Sequence, residues 1–527
     1  MMRCVNVLLA VMMFVVTIQT TTTTSPEPSR ILVLDLMGHV SHKHFIMAVA
    51  EKLAGRNHSI TYLTSYEPTR KRPNIREVFI PSDPSFRNIP NLFNTSKMQI
   101  YQNASTELHK FCPNLLATQE FQSYQEEGEK FDIVISGLRM LECFLPYVHK
   151  LQVPLVYVFP NKLQGILEDL AGSPFLHSIG GSLIFDEDFP YSFKYRTLAT
   201  LYTEFSKLVN QWYILPNMES DCKSRQLCPD NLPSLAELRV NSSLFITNSV
   251  MTLESPTMPY TPTVVHAGGI HCRPPHPLPL DLEEWVAGSG VAGFILFSLG
   301  SIIKPSDMPP LYRTVLVEVL GSLEQRVLWK WDEESMSDVR LPPNVKLAQW
   351  LPQQDILGHP KLRLFITHGG LLSLQEATYH GVPILGLPLF ADQSQNVGRA
   401  QRGGWGRLVK WEDLTYDLLR NTILEIINDT KMRKVVQHRS MVMQDQPVTP
   451  GEWVTYWVEY VIRHRGALHL RCPAVHLPWY QLYNVDVWMT VIVVTATVIL
   501  LACYITYKIL RCCCSACCRR NKKSKQE

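Results

Sequence analysis

The fold is decided by residues 364–393, LFITHGGLLSLQEATYHGVPILGLPLFADQ. An apolar run stops at His368 and two glycines, a helical pattern follows, and a second apolar run ends at Asp392 and Gln393. Short apolar runs that alternate with helical patterns are typical of βαβ units, in which neighbouring strands are parallel. Both polar clusters would therefore lie at one edge of a sheet, outside the carboxyl ends of two strands.

The same alternation extends along most of the chain. Examples of the apolar runs are residues 31–36, 131–136, 155–159, 243–249, 294–301, 326–331, 345–350, 363–368 and 382–390. A proline-rich stretch, HCRPPHPLPLDLEEW from His271, divides the series into two groups. We therefore expect an α/β fold with two doubly wound, Rossmann-like domains that face a cleft.

The two ends of the chain differ from this body. Residues 1–24 contain one basic residue, an apolar stretch and a threonine-rich run, which is the profile of a secretory signal peptide. Residues 487–507 carry no charge and are long enough to span the ~30 Å hydrocarbon layer of a membrane. Basic residues dominate the tail, residues 508–527, so the positive-inside rule places the tail in the cytosol and the body in the lumen.

The composition describes a globular body, with 46% hydrophobic and 18% charged residues. The net charge of +3 is largely explained by the basic tail, which leaves a nearly neutral body and argues against a nucleic-acid partner. Five glycosylation sequons agree with a lumenal body, at Asn57, Asn94, Asn103, Asn241 and Asn428. The cysteines show no zinc-site spacing, and the sequence does not indicate which of them form disulfides.

The glycines that follow His368 indicate that the backbone approaches a ligand closely at this point. The next helix should begin near Leu372 or Ser373, and its free N–H groups and positive end favour an anion. The His368 ring and the Ser373 hydroxyl add hydrogen-bond donors. A diphosphate would use all of these groups, including the backbone at Gly369 and Gly370.

Polar residues at other strand ends fit the remainder of a nucleotide sugar. Glu376 lies one turn further along the same helix and can accept hydrogen bonds from ribose hydroxyls. Asp392 and Gln393 could bind sugar hydroxyls. Trp350 offers a flat face for a base, and Gln353 offers an amide that can pair with uracil.

The stretch from residue 350 to residue 393, WLPQQDILGHPKLRLFITHGGLLSLQEATYHGVPILGLPLFADQ, resembles the signature of the UDP-glycosyltransferase family of membrane-anchored glucuronosyltransferases and their invertebrate relatives. The segment FSLGS before it and WVEYVIRHRGALHLR after it extend the resemblance weakly over the whole chain. The resemblance implies a glycosyltransferase B fold and the following organisation. A signal peptide (1–24) precedes an N-terminal acceptor-binding domain (25–270), a linker (271–290), a C-terminal UDP-sugar-binding domain with a return segment (291–486), a transmembrane helix (487–507) and a cytosolic tail (508–527).

The donor-binding roles of the family carry over by resemblance. Uracil would be held by Trp350 and Gln353, the diphosphate by Ser301, His368 and Ser373, the ribose by Glu376, and the sugar by Asp392 and Gln393. Leu372 departs from the pattern, because relatives often have a small polar residue there and only the backbone N–H would still serve. The UDP-sugar would be a co-substrate, and neither a cofactor nor a metal is expected.

Transfer with inversion needs a base for the acceptor hydroxyl, and a neutral histidine can serve. The stretch DLMGHVSHKHFIMAVAEKLAGRNH contains a helical period that Ser41 could cap. His42 would then lie in the first helical turn, where the dipole disfavours the charged imidazolium. Counting back from RNH at residues 56–58, which resembles the family's Arg-Gly-His, also selects His42 over His39 and His44.

The partner of this base is where the chain departs most from the family. Relatives usually place Asp, or Glu in some invertebrate branches, a few residues into the strand of the FDIVIS type to orient the histidine and stabilise its charged form. The matching position here is Gly137. In other enzymes with a histidine base, loss of the orienting carboxylate reduces transition-state stabilisation by ~3 kcal/mol or more. Glu142 is a hypothetical substitute.

Two rival interpretations remain. The triplet DED at residues 186–188 has the form by which the other main glycosyltransferase fold binds a metal–diphosphate complex, but an acidic surface loop looks the same. The alternative to an enzyme is a catalytically weak or silent relative that binds UDP-sugar or a lipophile and acts as a partner or carrier. Gly137 is the main support for that alternative.

The predicted reaction is transfer of a hexosyl group, with glucose favoured, or of a glucuronosyl group from a UDP-sugar to a hydroxyl of a small lipophilic acceptor. Aromatic residues of the N-terminal domain would line the acceptor pocket, for example Phe121, Tyr124, Phe144, Phe175, Phe185, Phe189 and Tyr191. Lys523 and Lys525 resemble a dilysine retrieval signal, and a solvated basic tail has much the same pattern. The expected location is therefore the endoplasmic reticulum membrane, as a single-pass type I protein with a lumenal body, and a homo- or hetero-oligomer is left open.

Overall fold

The computed structural model describes residues 27–36, 39–81, 91–95, 99, 113–137, 141–163, 165–173, 176–180, 190–229, 231–300, 303, 307–331 and 340–523. The predicted signal peptide, Ser301 and the acidic triplet at residues 186–188 lie outside these ranges. By its internal contacts the chain divides into two compact units, Met1–Arg471 and Cys472–Glu527.

The first domain is built on a parallel sheet that has seven strands in the described part of the chain, in the order β3-β2-β1-β4-β5-β6-β7. The strands are β1 Arg30–Asp35, β2 Ser59–Thr64, β3 Ile75–Phe79, β4 Ile133–Gly137, β5 Leu155–Phe159, β6 Leu244–Thr247 and β7 Val264–His266. The helices are α1 Val40–Ala54, α2 Gln119–Glu126, α3 Leu145–Leu151, α4 Ile166–Leu170, α5 Phe193–Val209, α6 Leu215–Ser224 and α7 Leu235–Arg239, with a π-helical turn at Asn210–Ile214 and 3₁₀ turns at Leu141–Phe144 and Met251–Leu253.

The second domain is built on a parallel sheet for which the described residues give six strands, in the order β10-β9-β8-β11-β12-β13. The strands are β8 Phe294–Ser298, β9 Arg326–Lys330, β10 Val345–Ala348, β11 Leu362–Thr367, β12 Ile384–Gly386 and β13 Gly406–Leu408. The helices are α8 Leu280–Ala287, α9 Pro310–Gly321, α10 Gln353–Leu357, α11 Leu371–Tyr379, α12 Gln393–Arg402, α13 Tyr416–Asn428, α14 Thr430–Gln444 and α15 Pro450–Arg463, with 3₁₀ turns at Trp411–Asp413 and Leu468–Leu470.

Burial on both faces explains why the strands are continuous apolar runs. In β1, Ile31 and Val33 pack in the cluster that contains the α1 residue Ile46, whereas Leu32 and Leu34 pack in a separate cluster. Alternate residues of a strand point to opposite faces, so each face of this sheet has its own core.

Each of the nine apolar runs given above coincides with a strand. Four further strands, β2, β3, β7 and β13, complete the two sheets. Strands β7 and β13 have only three residues each, and β2 contains polar Thr61 and Thr64 at buried positions. These features make β2, β7 and β13 harder to recognise from apolar patterning.

The predicted linker contains helix α8, whose buried residues Leu282 and Val286 belong to a core cluster of the second domain. These residues are four apart, so they lie on one face of the helix. The proline-rich segment before α8 is held by Asp355, which accepts hydrogen bonds from the backbone N–H of His276 and the guanidinium of Arg273.

The return segment packs on the first domain. Val454 and Val458 of α15 lie in the same cluster as Phe45 of α1. The Glu459 carboxylate lies 3.3 Å from Nε2 of His58, which is fully buried at the end of the RNH stretch. That stretch therefore helps to attach the return helix to the first domain.

The C-terminal unit contains a 3₁₀ turn at Pro473–His476, α16 Trp479–Leu482 and the 39-residue helix α17 Val485–Lys523. Residues Val485–Ser515 of α17 have a mean hydropathy of 2.3 over their most apolar window, and that window is not buried within the chain. This helix is a candidate membrane span that includes the predicted residues 487–507.

Candidate active site

A cavity of about 650 Å³ lies at the carboxyl ends of the two sheets. Nine of the predicted site residues line it, namely His42, Trp350, Gln353, His368, Gly370, Ser373, Glu376, Asp392 and Gln393. Carboxyl ends of parallel strands meet at one sheet edge, so residues far apart in sequence converge there. The cavity therefore joins the predicted base on the first domain to the predicted donor-binding residues on the second.

The His368 ring is held between two glycines. A Cβ added to Gly300 would lie 2.7 Å from the His368 ring, and a Cβ added to Gly370 would lie 2.6 Å from its Nε2 atom. Burial, together with the positive charge of Lys330, lowers the pKa of His368 to about 4. His368 is therefore a neutral hydrogen-bond donor at physiological pH, and its buried Nδ1 has no partner among the described residues.

Gly369 contributes through its backbone alone. Its φ of +88° is in the left-handed region, and an added Cβ would lie 2.4 Å from Val397. Its N–H donates to Thr367 and its carbonyl accepts from Asn396, so the residue shapes the turn rather than facing the cavity.

Helix α11 points its N-terminus into the cavity. It begins at Leu371, one or two residues earlier than expected, with Gly370 as its N-cap. The first N–H groups of a helix have no partner within the helix, and their positive end favours an anion. The side chain of Leu372 packs against the first domain's core, which leaves its backbone as the part available to a ligand.

Glu376, Ser373 and Gln353 form one hydrogen-bonded group. The Gln353 Nε2 atom donates to Glu376 Oε2 at 2.5 Å and to Ser373 Oγ at 3.1 Å. Burial raises the pKa of Glu376 to about 7, although Gln353 and Arg273 act in the opposite direction. A carboxylate in this position can accept hydrogen bonds from a diol such as ribose.

Trp350 is 71% exposed although it lies in the cavity wall. The Nζ atom of Lys330 lies 5.4 Å from the centre of its ring system. An exposed indole in a cavity offers a stacking surface for a planar ligand group such as a base.

Asp392 and Gln393 also line the cavity. The Asp392 carboxylate accepts a 2.7 Å hydrogen bond from Asn396, and burial raises its pKa. The amide oxygen of Gln393 accepts from the backbone N–H groups of Leu389 and Phe390. Only the NH₂ group of Gln393 is therefore left to bind a ligand.

His42 lies in the first turn of α1, as expected, but the helix begins earlier than the expected cap allows. The N-cap is His39, so Ser41 is already inside the helix. The backbone N–H of His42 donates to the His39 carbonyl at 2.8 Å.

Glu142 is not brought to the cavity. Its carboxylate lies 3.7 Å from Arg239 Nη1, and the neighbouring Cys143 and Phe144 pack in the core on the sheet face opposite α1. The hypothesis that Glu142 replaces the missing carboxylate therefore has no geometric support, because His42 is on the other face.

The aromatic residues expected in the acceptor pocket have a different place. Phe121, Tyr124 and Phe144 are buried in a core cluster of the first domain and do not line the cavity. The first-domain wall is formed instead by the start of α1, around His42, and by the end of β5 with the residues after it, including Phe159 and Pro160. Phe175, Phe185 and Phe189 fall outside the described residues.

The cavity wall contains three cations that were not among the predicted site residues, namely Lys162, Arg273 and Lys330. Lys330 ends β9, and its Nζ donates to the Gly300 carbonyl at 3.1 Å, while burial lowers its pKa. Arg273 pairs with Asp355 through two hydrogen bonds of 2.6 and 3.0 Å. Lys330 could have been predicted from the sequence, because it is a basic residue at the carboxyl end of a strand. Nothing in the sequence places the linker residue Arg273 at the cavity.

Comparison with known families gives a match over nearly the whole chain. Residues 32–524 match the family described as UDP-glucoronosyl and UDP-glucosyl transferase. A UDP-glycosyltransferase, UGT5, of Dactylopius coccus is 30% identical over 475 residues, which cover 88% of this chain and 89% of the relative. UDP-glucuronosyltransferase 2B7 of Homo sapiens is 28% identical over 489 residues, which cover 87% of this chain and 89% of the relative.

Solved structures share the fold. A UDP-glucose:anthocyanidin 3-O-glucosyltransferase in complex with UDP aligns with a TM-score of 0.58 at 16% identity, covering 83% of this chain and all of that structure. The glycosyltransferase of kitacinnamycin aligns with a TM-score of 0.56 at 17% identity, covering 83% of this chain and 99% of that structure. These likenesses confirm the expected glycosyltransferase B fold.

Proposed function

The chain belongs to the UDP-glucuronosyl and UDP-glucosyl transferase family and is a UDP-sugar glycosyltransferase, and on this premise we propose that it transfers a hexosyl group, with glucose favoured over glucuronate, to a hydroxyl of a small lipophilic acceptor. The observation that carries the proposal is that one cavity joins His42 to the donor-binding residues. Ligands in tandem doubly wound folds bind at such a place, outside the carboxyl ends of the strands.

The donor would bind mainly to the second domain. Trp350 would stack on uracil, and Glu376 would accept hydrogen bonds from the ribose. The diphosphate would lie between the N-terminus of α11, neutral His368 and the Lys330 ammonium. Asp392 and the NH₂ group of Gln393 would bind sugar hydroxyls.

His42 would act as the general base. The acceptor oxygen forms a bond to the anomeric carbon as the bond from that carbon to the UDP oxygen breaks. The proton of the acceptor hydroxyl moves to His42, and UDP leaves with the electron pair of the broken bond. Attack from the face opposite to UDP inverts the configuration, and the Lys330 ammonium, the His368 ring and the N–H groups of α11 around the diphosphate stabilise the leaving group.

The proposed substrates are inferred from the relatives and from the cavity wall. Two similar proteins come from Dactylopius coccus, and one of them is named a UDP-glucosyltransferase, which favours glucose. The first-domain wall includes Phe159 and Pro160, which suits an apolar acceptor. Transfer requires no metal in this proposal, because the Lys330 ammonium and the N-terminus of α11 can stabilise the departing UDP.

We further propose the endoplasmic reticulum as the location, with the body in the lumen. The apolar helix Val485–Ser515 can anchor the chain, and the basic residues after it favour a cytosolic tail. Cys222 and Cys228 form a disulfide in the first domain, which suits an oxidising compartment.

The test is UDP release by the full chain in lipid nanodiscs, with UDP-glucose and UDP-glucuronate offered separately over a panel of phenols and sterols. We expect turnover with at least one acceptor, and faster turnover with UDP-glucose. Measurable UDP binding without turnover on any acceptor would instead favour the silent relative. Matched reactions without acceptor give the rate of donor hydrolysis, which is subtracted.

A further inference from the structure

A buried carboxylate lies directly beside the glycine that replaces the family's acidic residue. Asp35 ends β1 and is 3% exposed. Leu34 pairs with Ser136, so Asp35 comes next to Gly137 on the neighbouring strand. A Cβ added to Gly137 would lie 3.6 Å from Asp35 Oδ1. The space in which relatives hold their carboxylate is therefore next to the carboxylate of Asp35.

Asp35 points to the sheet face on which α1 packs. Ile31 and Val33 lie in the cluster with α1, and Asp35 follows them with the same two-residue alternation. Ile46 of α1 covers Gly137, because its Cδ1 atom lies 2.5 Å from the position of an added Cβ. His42 lies one turn before Ile46 on the same helix face, toward the carboxyl edge of the sheet. Asp35 and His42 are thus on the same side of the sheet and at the same edge.

The Asp35 carboxylate is held by a hydrogen bond from β2 and is influenced by a positive charge on α1. The Tyr62 hydroxyl of β2 donates a 2.6 Å hydrogen bond to Asp35 Oδ2, which leaves Oδ1 as the oxygen toward Gly137. The positive charge of Lys43 of α1 acts on Asp35 at longer range, because the Lys43 Nζ atom itself pairs with Glu77 at 2.7 Å. Burial raises the pKa of Asp35 to about 6, so the carboxyl is mainly ionised at neutral pH.

We propose that Asp35 is a positioning residue that supplies from β1 the negative charge that Gly137 cannot supply from β4. When the acceptor oxygen bonds to the anomeric carbon and UDP leaves, the acceptor proton moves to His42, and Asp35 stabilises the resulting imidazolium without taking the proton itself. This inference rests on the proposed function, because it requires His42 to be the base.

Asp35 and Tyr62 could instead form a purely structural hydrogen-bonded pair. The test distinguishes this structural role of Asp35 from its support of His42. In the full chain in nanodiscs, Asp35→Asn keeps the size of the side chain and an acceptor for the Tyr62 hydroxyl. We expect kcat to fall by roughly 10²–10⁴, in line with loss of the carboxylate of other histidine bases, while the KM for the UDP-sugar stays within about twofold. A carboxylate favours imidazolium, so its removal should move the acid limb of the kcat/KM profile to lower pH.

The control Glu142→Gln should leave kcat and the acid limb unchanged, because Glu142 lies on the other sheet face. Retention of wild-type kcat in Asp35→Asn, with His42→Ala inactive, would overturn the role of Asp35 and leave the proposed function intact. A fall in kcat without a shift of the acid limb would assign Asp35 a structural role only and also overturn the inference. If the wild-type chain and His42→Ala release UDP at the same rate, both the proposed function and this inference are wrong.

Discussion

The side chain of Ile46 fills the space above Gly137. Its Cδ1 atom lies 2.5 Å from the position that a Cβ on residue 137 would take, and Leu34 O lies 3.3 Å from the same position. This chain therefore lacks the family's acidic residue, and Ile46 occupies the space that its side chain would need. Replacing Gly137 alone would not restore the pattern of the relatives.

Gly137→Ala should destabilise the first domain by about 1–3 kcal/mol, as overpacking of a well-packed core does. Ile46→Val removes the clashing methyl group and should cost about 0.5–1.5 kcal/mol by itself. The double variant should be more stable than the sum of the two effects predicts. Urea unfolding of the three variants measures this, and strict additivity would contradict the contact.

Gly370→Ala should weaken binding of UDP by about tenfold or more. Displacement of the His368 ring would remove a hydrogen bond to the diphosphate and reduce the binding free energy by ~1.4 kcal/mol or more. The added methyl group would displace the His368 ring, whose Nε2 atom lies 2.6 Å from the new Cβ. Gly55→Ala is the matched control, since its Cβ meets only ordinary contacts of 3.4 Å. Calorimetric titration with UDP measures both, and equal affinities in the two variants would show that His368 does not bind the diphosphate.

Binding of UDP-glucose should weaken as the pH falls through 7. Burial raises the pKa of Glu376 to about 7, and the ligand's ribose hydroxyls favour the ionised carboxylate. Because the protonated form loses its charge, the dissociation constant should be about tenfold larger at pH 6 than at pH 8. His368, with a pKa of about 4, does not titrate in this range.

UDP-glucose is the suitable probe because its diphosphate is a diester and does not change charge between pH 6 and pH 8. Glu376→Gln should bind more weakly and lose the pH dependence. A wild-type affinity that is flat from pH 6 to pH 8 would remove Glu376 from the binding site.

Lys330→Ala should raise the dissociation constant for UDP-glucose by about ten- to hundredfold, the range for loss of a hydrogen bond to a charged group. Uridine binding should change little, since uridine has no phosphate. Lys346→Ala is the control, because Lys346 lies on the adjacent strand β10 but interacts with Asp281 away from the cavity. If uridine and UDP-glucose lost affinity equally, Lys330 would have a general structural role instead.

Both sheets and nine cavity residues could be predicted because short stretches of consecutive residues are enough to recognise them. Apolar runs give the strands, and HGG followed by a helical pattern places His368 and the α11 N-terminus at a sheet edge. Strand order and sheet face are not local signals. Asp35 adjoins Gly137 only because β1 pairs with β4, and Glu142 is excluded only because its 3₁₀ turn packs on the far face. Lys330 belongs to the cavity because β9 ends there, which the sequence leaves open until the topology is known.

The central claim is that His42 on the first domain acts on a UDP-sugar bound to the second. The most direct test measures turnover and UDP affinity on the same preparations of the wild-type chain and His42→Ala. We predict a loss of kcat by roughly 10²–10⁴ in His42→Ala, the range for a general base, with UDP affinity within about twofold of the wild type. Turnover near the wild-type rate in His42→Ala would contradict the account.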